Sequence, residues 1–331
     1  MWSTLLLLAC QPDTERASPI PVGAPSATAP ALPAGLEGVP VRPVNRKNMA
    51  PELVRFVVIG DGGNGNDAQY DVADAMKTVC DRDGCEFVLY TGDNIYFDGV
   101  EGTDDLQFVD KFEAPYAELD MPFYMVLGNH DYGGGGSGYE FWKDDYEIQY
   151  TEHSEKWTMP ANYYDFSVGP AQFFALDTNA ILWGFPEDQY AWLGEGLAAS
   201  TARWSLAFGH HPYVSNGPHG NAGEYDGRDD DPIDSGWIIK DFFDQAVCGK
   251  VNVYICGHDH SLQWMVGTCG TEFLVSGAAS NTTPPDEGVN PTYFYDRSYG
   301  FLWVEINGET FTGRYYDDEA NLLFERSFQH P

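Results

Sequence analysis

Basic residues are scarce. Lys and Arg total 17 against 51 Asp and Glu in 331 residues, a formal charge of −34 at neutral pH. So few cations cannot form a face that neutralises a nucleic-acid backbone, which excludes a DNA or RNA partner, and such a surface would not be drawn to an anionic leaflet. A field this negative also repels anionic substrates, so any phosphate chemistry must bring local positive charge, most simply as metal ions. Long apolar runs are missing too: Leu5-Leu6-Leu7-Leu8, with Ala9 and Cys10 after it, falls far short of the about 20 residues that span a bilayer. There are only 6 Cys, none spaced like a zinc knuckle. No Gly-Lys-Ser/Thr triplet occurs, which removes the phosphate-binding loop of the nucleotide hydrolases.

What is present divides the chain in three. Residues 1–10 read as a secretory signal ending in Leu7-Leu8-Ala9-Cys10, which resembles a bacterial lipobox and would anchor the chain by a lipid on Cys10. Residues 11–52 hold nine Pro among Ala, Ser and Gly. Such a stretch cannot bury a core and is expected to be a disordered linker. Residues 53–331 form the globular part; the whole chain's 43% hydrophobic and 15% aromatic content suits a folded protein, and its 36 Gly and 21 Pro provide many turns. An exported location is expected: the bacterial cell envelope, periplasm or exterior. Export permits disulfides, and Cys80 with Cys85 and Cys248 with Cys269 are the expected pairs. Cys256, inside the apolar run Val251–Cys256, reads as a buried free thiol.

Short apolar runs alternate with helical patterns. Strands are expected at 55–59, 87–90, 123–127, 172–176, 204–208, 251–255, 273–275 and 301–306, with helices at 67–79, 106–119, 187–197 and 237–247. An early βαβαβ pattern followed by a strand-rich half implies an α/β protein with more than one sheet. The turns after the strands carry the chemistry. They read Gly60-Asp61-Gly62-Gly63, Gly92-Asp93-Asn94-Ile95-Tyr96, Gly128-Asn129-His130-Asp131, Gly209-His210-His211-Pro212 with His219 close behind, and Gly257-His258-Asp259-His260. Six of the eight His lie in these turns. Strand carboxyl ends are where α/β sheets assemble sites, and an Asp, Asn and His menu suits hard or borderline cations. Buried carboxylates and imidazoles in such number would be costly without a cation.

These motifs, from Gly60 to Gly277, resemble those of the calcineurin-like metallophosphoesterases, and more closely the purple (tartrate-resistant) acid phosphatases. The superfamily's usual Asp-x-His is here Asp61-Gly62-Gly63, without the His. Tyr96, three residues after Asp93, stands where the purple enzymes place a phenolate on Fe(III). The resemblance implies a four-layer αββα sandwich of two mixed sheets. It also implies Asp61, Asp93, Tyr96 and His260 around Fe(III), and Asn129, His210 and His258 around a divalent ion (Fe, Zn or Mn), with Asp93 bridging. His130 and His219 become the catalytic pair. The implied activity is hydrolysis of phosphate monoesters by hydroxide generated at that centre, the divalent ion holding the ester oxygen, His130 donating to the developing oxyanion and His219 protonating the departing alkoxide. A monomer is expected. The main alternative is phosphodiesterase or nucleotide hydrolysis at the same site.

Each residue has a duller reading alone: a turn or cap carboxylate for Asp61 and Asp93, a turn former for Asn129, a packed aromatic for Tyr96. Five motifs in one order leave little room for that jointly. His211 reads as a cleft neighbour, the Gly133–Gly138 run as slack, and the acidic stretch Asp226–Asp234 as a solvated surface loop. Gly60-x-Gly62-x-x-Gly65 also fits a dinucleotide fingerprint, but Asp61 would then stand where a pyrophosphate must sit.

Overall fold

The computed structural model describes residues 50–228, 231–283 and 290–330. The expected signal segment with Cys10, and the linker up to residue 49, lie outside the described residues. From Leu53 onward the apolar runs become two seven-stranded sheets. Strands β1 (Leu53–Ile59), β2 (Phe87–Tyr90), β3 (Phe123–Met125) and β4 (Trp157–Thr158) lie parallel in the first sheet. The second sheet comprises β5 (Tyr164–Val168), β6 (Ala171–Ala175), β7 (Trp204–Phe208), β8 (Val253–Cys256), β9 (Leu262–Met265), β10 (Glu272–Ser276) and β11 (Thr292–Asp296). Its spatial order is β11-β9-β10-β8-β7-β6-β5, with β6, β7, β8 and β10 parallel. The chain then returns to the first sheet. There β12 (Gly300–Asn307), β13 (Thr310–Asp317) and β14 (Leu322–Gln329) add antiparallel beside β1.

The sheets stack through aromatic side chains. Phe56 and Phe87 meet Phe173 of the opposite sheet edge-on, with centroids 5.3 Å apart in both pairs. Ser276 Oγ donates to the Val58 carbonyl at 2.8 Å, tying β10 to β1. Helix α1 (Asp67–Asp83) starts at Asn66, whose side chain accepts from Gln69 N, and covers the first sheet. Helices α2 (Asp144–Tyr150), α3 (Thr178–Leu182), α4 (Glu187–Ala199) and α5 (Trp237–Phe242) follow. Ile181, Leu193, Ile239 and Phe242 from the last three pack on the outer face of the second sheet. This is the four-layer αββα sandwich. Both expected disulfides are present, and Cys256 is free and buried. No helix among the described residues is long and apolar enough to cross a membrane.

Three readings change. The helix expected at 106–119 is only a wide helical turn over Val109–Glu113. Pro115 has no N–H to give the Lys111 carbonyl, and Gln69 Nε2 donates to that carbonyl instead, at 2.6 Å. The helix at 237–247 relaxes into wider turns after Phe242. Strands β4, β5, β9, β11, β13 and β14, and helices α2 and α3, were not expected from their short or interrupted patterns.

The arrangement brings two sets of strand ends together: β1, β2 and β3 from one sheet, β7 and β8 from the other. The approach is close enough that a Cβ on Gly60 would lie 3.4 Å from Gly257 Cα.

Candidate metal centre

Each turn after those five strands is shaped to send a side chain inward. Gly92 has φ 87°, and a Cβ there would lie 2.8 Å from His210 Nδ1 and from Gly128 N. Only glycine fits. The residues that follow accept strain as well. Asp61, Asp93 and His258 all occupy the left-handed region, with φ of 58°, 53° and 68°. Each costs on the order of 1 kcal/mol, and such residues cluster where function over-determines the backbone.

The ligand atoms of Asp61, Asp93 and His210, all buried, lie within 4.8 Å of one another. Around this triad the acceptors form two groups. In the first, Tyr96 Oη is 3.2 Å from Asp61 Oδ1 and 3.0 Å from His260 Nε2, and His260 Nε2 is 3.4 Å from Asp61 Oδ1. In the second, His210 Nε2 is 2.9 Å from Asn129 Oδ1, 3.0 Å from His258 Nδ1 and 3.5 Å from Asp93 Oδ1.

Hydrogen-bond partners behind these atoms fix their orientation. His210 Nδ1 donates to the Thr91 carbonyl at 2.9 Å, which turns the Nε2 lone pair toward the centre. Asn129 Nδ2 donates to the Gly136 carbonyl at 2.7 Å, which turns Oδ1 the same way. His258 N donates to Asp61 Oδ2 at 2.9 Å and His130 N to Asp93 Oδ1 at 3.0 Å. The Tyr96 hydroxyl can donate to Asp61 while accepting from His260 Nε2–H, so the first group closes with ordinary hydrogen bonds. In the second, His210 Nε2 faces three neighbours and a single proton serves one of them, an arrangement that a cation relieves. Nitrogen and oxygen donors without thiolate suit iron, zinc or manganese.

Electrostatics agree. Burial disfavours charge on His210 and His260, yet Asp93 beside the first and Asp61 beside the second raise both imidazoles. Burial raises the Asp93 carboxyl, but the His210 and His130 rings outweigh that and leave it lowered. Burial and the surrounding His219, His211 and His210 push His258 well below its ordinary value. Tyr96 is driven well above 10 by burial and by Asp93 and Asp61. Its phenol stays protonated without a strong cation.

The seven expected metal ligands thus converge. The two expected catalytic histidines flank them. His130 donates Nδ1–H to the Phe97 carbonyl at 2.8 Å and its ring lies 4.5 Å from that of Tyr96. The His219 ring stacks on His258 with centroids 4.0 Å apart. His211 is fully buried. Thr178 Oγ1 accepts from the backbone N of His210 and of His211, leaving its own proton for His211 Nδ1 at 2.9 Å. It packs the site from below. The Gly133–Gly138 run is not slack: Gly136 takes the Asn129 amide and lies against the His130 ring, and Gly135 N donates to Asp98 at 2.6 Å.

Sequence reasoning missed the residues that hold these side chains in place. Asp131 accepts from Ile95 N at 2.9 Å and Gly128 N at 2.7 Å, locking two ligand turns together. Asp259 accepts from His219 N at 3.0 Å. Both sit inside the quoted motifs, so their position was a signal, though not their direction. Thr91 and Thr178 carry no such signal.

Residues 54–262 match the calcineurin-like phosphoesterase family. Tartrate-resistant acid phosphatase type 5 of Sus scrofa is 27% identical over 321 residues, covering 85% of this chain and 88% of its own. Purple acid phosphatase 4 of Arabidopsis thaliana is 30% identical over 307 residues, covering 82% of each. Among solved structures, GAP50, the anchor in the inner membrane complex of Plasmodium, superposes with a TM-score of 0.68 at 20% identity, over 84% of this chain and 89% of that one. Purple acid phosphatase PPD1 from yellow lupin seeds gives 0.58 at 16% identity, over 84% and 54%. At these identities both structures speak to the fold alone.

Proposed function

This chain belongs to the calcineurin-like phosphoesterase family, and from that premise we propose that it hydrolyses phosphate monoesters in weak acid at a centre of two metal ions. The observation that carries the reading is the convergence of seven side chains able to bind metal in two adjacent groups, with Asp93 and Asp61 between them. Asp61, Tyr96 and His260 would hold Fe(III), Asn129, His210 and His258 a divalent Fe, Zn or Mn, and Asp93 both. A phenol kept protonated by burial and two carboxylates calls for the more highly charged ion at Tyr96. When bound, such a pair supplies Lewis acidity, acidifying water and shielding phosphoryl oxygens in an otherwise anionic protein.

The side chains around the centre supply the rest. His130, its Nδ1 committed to the Phe97 carbonyl, has Nε2 free to donate to an oxygen gathering charge on phosphorus. His219, its Nδ1 committed to Asp226, has Nε2 free to protonate the departing alkoxide. Lys111 Nζ and Gln69 Nε2 tie the wide helical turn to the Tyr96 carbonyl and to α1, bracing the Tyr96 turn. Asp61 at the end of β1 accepts from His258 N, which leaves a carboxylate where the dinucleotide reading needs a pyrophosphate.

Two disulfides fit folding in an oxidising compartment. We read the chain as an exported protein, with a lipid on Cys10 as the proposed membrane link. A mass measurement on membrane-extracted protein tests this, and an unmodified Met1 terminus would refute the anchor.

The visible spectrum tests the metal assignment. Protein purified with iron should be violet or pink through phenolate-to-iron charge transfer, and Tyr96→Phe should bleach it. A colourless iron-loaded wild type would contradict the role of Tyr96.

A further inference from the structure

The acidic stretch that reads as a solvated loop begins with a residue that touches the site. Asp226 Oδ1 lies 3.1 Å from His219 Nδ1, and Asp226 N donates to the His219 carbonyl at 3.0 Å. The same residue therefore holds both the ring and the backbone of His219. Its own place is fixed by Tyr225, which is buried, donates its N–H to the Ser235 carbonyl at 3.0 Å and its hydroxyl to the Pro212 carbonyl. A φ of 54° at Asp226 turns the chain at this point.

We propose that Asp226 is a positioning residue for His219, setting which ring nitrogen meets the leaving group; this rests on the phosphoesterase reading. The His219 backbone is secured by Asp259 and its ring face by His258, at 28° between planes. Those contacts do not decide the flip of the ring, because a half-turn about its last torsion keeps the stack and exchanges the ring edges. The carboxylate, an acceptor only, decides it by taking Nδ1–H and leaving Nε2 outward. In the step itself, water supplies the new P–O bond and releases its proton to solvent. The electron pair of the breaking P–O bond stays on the ester oxygen, which takes the Nε2 proton while Nδ1–H stays with Asp226.

A loss of positioning should hurt in proportion to the need for a proton. Glycine tolerates the backbone at 226, so Asp226→Gly removes the carboxylate without straining the turn. Turnover of glycerol 2-phosphate, a poor leaving group, should fall about tenfold more than that of 4-nitrophenyl phosphate, a fraction of what a general acid contributes. Asp226→Asn, whose amide oxygen still accepts from Nδ1–H, should restore most of that selectivity. Equal losses on both esters, no loss on either, or no advantage of Asp226→Asn over Asp226→Gly would overturn the assignment. A metal-loaded wild type that hydrolyses neither ester would instead overturn the phosphoesterase reading, and this inference with it.

Discussion

Gly277 is a stringent place to test the geometry. It follows β10, and its N–H donates to the Ser261 carbonyl at 3.1 Å. A Cβ there would lie 2.7 Å from Asp61 Oδ2 and 2.5 Å from the Asp259 carbonyl oxygen. Ordinary contact begins at 3.4 Å, so the carboxylate must retreat by about 0.7 Å and the carbonyl by about 0.9 Å. Neither can give freely: Asp61 Oδ2 is held by His258 N, and Asp259 lies between His258 and His260. Overpacking of this kind costs about 1–3 kcal/mol. A catalytic group misplaced by about 1 Å costs about a hundredfold in rate. Gly277→Ala should therefore lose between about tenfold and a hundredfold in kcat/KM toward 4-nitrophenyl phosphate and bind metal more weakly. The control is Gly194→Ala, in α4 with nothing within 4 Å, which should leave activity alone and stabilise by about 0.5–1 kcal/mol. Full metal content and wild-type kcat/KM in Gly277→Ala would refute the placement of Asp61 at the centre.

Two further predictions concern stability. Burial raises the Asp144 carboxyl to about 7, with the Asn162 side chain partly opposing and Asp177 adding to the rise. An unfolded aspartate titrates near about 3.9, so between those values the native state keeps a proton that the unfolded state has released, and stability falls as pH rises. Urea unfolding of Asp144→Asn should gain on wild type across that window; a pH-independent difference would refute the effect. Cys248 and Cys269 are 21 residues apart and Cys80 and Cys85 only 5. Replacing each pair by Ser should cost about 3 and about 2 kcal/mol by the loop-entropy estimate, and the reverse ranking in urea titrations would contradict it.

The site was legible because its chemistry is concentrated. Five turns follow buried apolar strands, and each carries a glycine followed by a residue able to bind a cation, so the side chains that the fold brings together could be picked out without knowing how the strands pair. The fold was legible where strands are buried on both faces, as in β2 and β8. It was illegible at the β13–β14 edge, where stability comes from cross-strand partners such as Arg314 with Glu325 and Thr312 with Ser327. Within β13, the bare backbone of Gly313 makes room for Trp264 of the other sheet. The supports of the site were hidden for a related reason. The Asp131 and Asp226 carboxylates meet groups that only the folded turns bring near them, and composition carries no trace of that.

Metal analysis of the loaded wild type beside Asp93→Ala is the most direct test of a centre held jointly by both groups of ligands. Wild type is expected to carry two ions per chain, and the variant at most one, with turnover in weak acid lost. A variant that keeps both ions and unchanged turnover would contradict the shared centre.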